Sequence, residues 1–134
     1  MKKKLTVLMV GLFTLVMLSF VTKVADQKPW PVPDAAKNKV NPIKDDASSL
    51  VKGKSLYNQH CKSCHGTKGK GDGPKADQLD TDCGDFTKAS FHAQTDGALY
   101  FKTAEGRKDM PAYKKKIPDV NDMWAVVNYM RTFK

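Results

Sequence analysis

The chain has 134 residues, 23 Lys or Arg against 14 Asp or Glu, a formal charge of +9 and three cysteines. Such a length allows one small domain with a leader, and the absence of an internal period excludes a repeat array. Cys61, Cys64 and Cys83 cannot all pair with one another.

The opening "MKKKLTVLMVGLFTLVMLSFVTK" sets three lysines before an apolar stretch from Leu5 to Val21, which predicts an export or anchoring segment over 1–25. At the nearest cleavage candidate, Lys23-Val24-Ala25, a lysine stands where a signal peptide needs a small residue, so an uncleaved anchor is favoured over a cleaved signal. Lysines 2 to 4 stay cytoplasmic by the positive-inside tendency, which places the remainder on the periplasmic side of the cytoplasmic membrane, tethered through the N-terminal helix. Four of the 23 basic residues lie in this leader, leaving 19 against 14 acids, a balance of +5. For an exported chain, that mildly basic surface suits a protein partner with an acidic docking face and not nucleic acid.

From 26 to 47, "DQKPWPVPDAAKNKVNPIKDDA" holds Pro29, Pro31, Pro33 and Pro42, which predict an extended spacer. The folded domain is expected over 48–134. Ser48 or Ser49 can cap a helix in "SLVKGKSLYNQHC", where Leu50, Gly53, Lys54, Tyr57 and Cys61 recur at helical spacing. "TKGKGDGP" reads as a loop and lacks the pattern of a phosphate-binding loop. "TDGALYFKTAEGR" predicts a helix starting at Thr95 or Asp96 and ending before Gly106. Asp119, after Pro118, caps a last helix in which Val120, Met123, Trp124, Val127 and Met130 follow helical spacing. No alternating stretch predicts a strand.

The chemistry concentrates in "HCKSCHG", from His60 to Gly66. Zinc needs four ligands, usually from two separated pairs, and no second C-x-x-C exists. A redox dithiol expects a βαβ setting, and a plain disulfide between Cys61 and Cys64 is a further alternative. Attachment of haem explains more. Two thiols at i and i+3 can each add to a porphyrin vinyl group, while the histidine directly after them can bind the iron. A covalently held cofactor also supplies core to a short domain. Methionine sulfur is a usual second axial ligand for electron transfer, and Met110, in the non-helical "GRKDMPAYKK" with Pro111 after it, is the candidate. His92 is the competing ligand. Met123 and Met130 fit the core better.

With these residues the chain resembles the class I, monohaem c-type cytochromes. The resemblance rests on Gly53 and Tyr57 before "CKSCH", the loop "GTKGKGDGP", the Met110-Pro111 pair and the closing "MWAVVNYMRTF". It implies an all-α fold of about three to five helices wrapped around one covalent haem c, with an N-terminal membrane segment. It further implies Cys61 and Cys64 as thioether sites, His65 as proximal ligand, Met110 as distal ligand, and Gly53 and Tyr57 meeting the face that carries Trp124 and Tyr129. The expected activity is single-electron transfer between membrane redox complexes, by a carrier and not an enzyme; the alternatives are a haem sensor or enzyme subunit with an exchangeable sixth ligand, or a zinc or thiol module. Cys83 departs from the family pattern and reads as a small buried hydrophobe or as an exposed thiol able to dimerise the protein.

Overall fold

The computed structural model describes residues 29–43 and 46–134. The leader expected over 1–25 lies outside them, and no helix among the described residues is long and apolar enough to cross a membrane. The helices are α1 (Asp34–Lys37), α2 (Ala47–His60), α3 (Lys62–His65), α4 (Ala89–His92), α5 (Asp96–Glu105) and α6 (Val120–Met130), with a 3₁₀ turn at Ala76–Gln78. The described residues are thus mostly helical, with six α-helical segments among them where three to five were expected. The surplus is made of single turns, too short to show a helical repeat in sequence. Among the described residues, extended pairing is limited to one bridge between Arg107 and Met110.

The three longer helices carry the core. Asp46, not Ser48 or Ser49, caps α2: its carboxylate accepts the Ser49 N–H at 3.0 Å, and both serines fall inside the first turn. Thr95 caps α5 by accepting from the Ala98 N–H at 3.2 Å, and Gly106, at φ +66, ends that helix. Asp119 accepts from the Asn121 and Asp122 N–H groups at 2.8 and 3.2 Å and so starts α6. Each carboxylate or hydroxyl satisfies N–H groups that the first helical turn leaves without partners.

Helices α2 and α6 pack face to face, and Gly53 is the reason they can come so close. A Cβ on Gly53 would overlap the Ala125 carbonyl and crowd the Tyr129 Cβ. One turn on, Tyr57 is fully buried, with its ring 5.4 Å from Tyr129 and 5.1 Å from Phe133. The expected meeting of Gly53 and Tyr57 with Tyr129 is present. Trp124, also fully buried, instead sets its ring 4.3 Å from Tyr100 of α5. Met123 and Met130 are core residues, as their spacing indicates.

The proline-rich stretch is not simply extended. Pro33, fixed near the required φ, leads into the single turn of α1, whose Asp34 and Lys37 pair at 2.9 Å. The Lys37 carbonyl accepts from the Thr95 hydroxyl at 2.7 Å, Lys39 lies over the Tyr100 ring at 4.3 Å, and Asn41 donates to the buried Asn128 at 2.6 Å. Pro31 to Ile43 therefore forms a strap across α5 and α6 and belongs to the same compact unit as the rest of the domain.

Candidate functional site

The C-x-x-C-H motif straddles a break in the helix. Cys61 closes α2, its N–H bonded to the Tyr57 carbonyl at 2.8 Å, and Cys64 and His65 lie in the single turn of α3. Gly66, at φ +81, stops that turn, a backbone state that L side chains rarely adopt. Tyr57 secures the exit: its hydroxyl donates to the Gly66 carbonyl at 2.8 Å. The residue that packs the helix crossing also anchors the chemical motif.

The glycine loop then wraps back along the motif. The carbonyls of Ser63, Cys64 and His65 accept in turn from the N–H groups of Lys75, Gly73 and Gly71, at 2.9, 3.1 and 2.9 Å. At Gly73 a Cβ would meet the Ser63 carbonyl oxygen at 2.5 Å, so only glycine lets the loop approach. The sequence identifies this segment as a loop; the structure shows it as a collar around the motif.

His65 is partly shielded from water. Its imidazole stacks on Phe86 at 4.6 Å, and Phe86 stacks in turn on Phe91 at 4.6 Å. Burial pushes the His65 pKa down, with a smaller opposing effect from the Cys83 backbone, and Nδ1 is buried without a hydrogen-bond partner among the described residues. Phe86 is not legible as a site residue in the sequence, since an aromatic in the irregular "DCGDFTK" carries no periodic signal.

Cys61 is 7 % exposed and Cys64 half-buried, and both thiols are free. Burial pushes the Cys61 thiol up to about 12, with Cys64 adding to the effect. A redox dithiol uses a lowered thiol pKa, so this environment disfavours that alternative. Among the described residues there is no group of three or more His, Cys, Asp or Glu that could hold a metal ion.

Met110 lies on a separate loop. The Arg107 N–H bonds to the Met110 carbonyl at 2.8 Å and the Met110 N–H to the Arg107 carbonyl at 3.0 Å, closing a tight turn in which Lys108 adopts φ +53. The Met110 side chain is partly buried against the same apolar cluster that contains Cys61. His92 is engaged elsewhere, its Nε2 2.9 Å from the Phe133 carbonyl oxygen. Cys83 is partly buried with a free thiol whose pKa burial raises, so it is neither a full core residue nor an open surface thiol.

The residues present fit a haem. Two unpaired thiols at i and i+3, a half-buried imidazole whose buried Nδ1 has no hydrogen-bond partner among the described residues, and a thioether on the adjoining apolar cluster form a donor set suited to porphyrin and iron.

A small helical domain organised around this thiol and imidazole cluster has the form of a haem protein with a covalently held cofactor. The family model for cytochrome c matches residues 50–134, well over half of the chain. The chain belongs to the cytochrome c family, whose members hold haem c covalently and transfer electrons through it. No curated protein matches the chain. Among solved structures, a chain of the reducing HAO-like protein complex of Kuenenia stuttgartiensis superposes with a TM-score of 0.61 at 24% identity, over 81% of this chain and 52% of that one. The present chain spans about half the length of that neighbour, and the likeness is one of fold.

Proposed function

We propose that the protein is a carrier of single electrons, holding one haem c through thioether bonds from Cys61 and Cys64, with His65 and Met110 as axial ligands. The observation that carries this reading is the half-buried His65 imidazole, whose buried Nδ1 has no hydrogen-bond partner among the described residues, in the same turn as Cys64 and one turn beyond Cys61. Bound there, the haem supplies an iron that alternates between ferric and ferrous states. The chain's own residues do the rest: the two thiols retain the cofactor, Phe86 and the glycine collar orient the imidazole and keep water from it, and the Met110 turn presents a sulfur. Fixed ligands keep the reorganisation on each transfer small, which suits a carrier and not an enzyme.

The partners on this reading are larger redox complexes on the periplasmic face of the membrane, reached by a domain tethered through the N-terminal segment. Lys62, Lys68, Lys70 and Lys75 follow the motif and Lys114 to Lys116 follow Met110, all exposed. They suit an acidic docking surface, and nucleic acid is not a partner. The neighbour's place in a complex described as reducing fits a domain that exchanges electrons within larger assemblies.

The test is the absorption spectrum of the exported holoprotein and of Met110→Ala. The variant should lose the sulfur-to-ferric-iron band while keeping attached haem. If the band survives, the distal ligand is another residue.

A further inference from the structure

We propose that Tyr113 is a positioning residue for the distal ligand: its hydroxyl latches the Met110 loop onto the carbonyl of His60, the residue immediately before the attachment motif. The inference rests on the Met110 reading above and adds the device that holds that sulfur in place.

The loop from Gly106 to Ile117 is fastened by its backbone to α5. Tyr113 N–H bonds to the Thr103 carbonyl and Lys114 N–H to the Ala104 carbonyl, both at 3.2 Å. Those bonds set the loop relative to α5 but not relative to the half of the molecule that carries Cys61, Cys64 and His65. Side-chain hydrogen bonds leave the loop on each side of Met110, one toward the segment that follows the motif and one toward the residue before it. Asp109 accepts from the Thr81 N–H at 2.9 Å, and Tyr113 donates to the His60 carbonyl at 2.7 Å.

The two differ in surroundings. Asp109 is exposed, so its bond competes with water, whereas Tyr113 is 9% exposed and its ring lies edge-on to the His60 ring at 5.8 Å. A ring held by packing leaves the hydroxyl little freedom, so the bond transmits position and is not just satisfied by it. Tyr113 is three residues after Met110, with Pro111 stiffening the path between them. Displacing Met110 from iron therefore requires the loop to shift against this latch. His60, which has no ligand role, contributes its backbone.

The experiment uses the holoprotein and imidazole, which competes with methionine sulfur for the iron. Tyr113→Phe keeps the ring and removes only the hydroxyl. It should bind imidazole about fivefold more tightly than the parent, the equivalent of one lost hydrogen bond. In a Met110→Ala background there is no sulfur to displace, and Tyr113→Phe should leave imidazole affinity unchanged. An unchanged affinity in the parent background overturns the latch, even if the unfolding midpoint falls, because Tyr113 is then only a packing residue. An equal gain in both backgrounds overturns it too, since the effect does not pass through Met110. A sulfur-to-iron band that persists in Met110→Ala is a separate result, which removes the ligand reading itself.

Discussion

The motif at Cys61 to His65 and the turn at Met110 are held in opposite ways. The motif is fixed by near neighbours: three consecutive carbonyls accept from a collar at most 12 residues further on, and the Tyr57 hydroxyl reaches Gly66, nine residues away. The Met110 loop is pinned by its backbone to α5, but its ties toward the motif are side chains reaching across 28 and 53 residues, from Asp109 to Thr81 and from Tyr113 to His60. A motif built mainly from near neighbours depends less on the distal loop for its shape. On the proposed reading, the Met110 sulfur can be loosened without loss of the cofactor.

Replacing both Cys61 and Cys64 by alanine tests the near side most severely. The expected result is complete loss of covalently attached haem, read as colour that separates from the chain on denaturation. Next in size is Gly73→Ala, which drives a Cβ into the Ser63 carbonyl and should destabilise the holoprotein by about 2 kcal/mol in urea unfolding. Gly53→Ala sharpens the contrast with the helix crossing. Alanine gains about 1 kcal/mol of helix propensity over glycine, but the overlap with the Ala125 carbonyl is with backbone that cannot rotate away, so a net loss of about 1 kcal/mol is expected. The smallest effect should come from Asp109→Ala, whose exposed bond to Thr81 is worth about 0.5 kcal/mol, read as a slight rise in imidazole affinity with no change in attachment.

The same division governs what could be read from the sequence. Asp119, Thr95 and Gly106 were legible as helix boundaries because capping is decided within a few residues. Cys61, Cys64 and His65 stood out because their chemistry is written in their spacing, and the structure does set them together at one helix break. Asp46, Ser48 and Ser49 are all good capping residues, so sequence alone does not separate them, and the structure selects Asp46. Phe86, the collar bonds of Gly71 and Gly73, and the reach of Tyr113 to His60 were not legible, since each depends on how loops fold back. The strap was hidden for a related reason. Proline content predicts an extended path, but not that Asn41 would find the buried Asn128 or that Lys39 would lie over Tyr100.

Docking offers a further contrast, between surface charge and buried ligand set. If the lysines around the two loops steer an acidic partner, electron transfer to that partner should slow as ionic strength rises through about 0.1 M, while the spectrum of the isolated protein stays constant. A rate indifferent to salt would remove the steering role and leave those lysines as solvated surface.

The central claim is covalent capture of haem by Cys61 and Cys64, and its most direct measurement is the absorption spectrum of the exported protein before and after denaturation and gel separation. The account predicts that the haem absorption migrates with the unfolded chain. Haem that separates from the chain, or a protein that never carried it, would contradict the account.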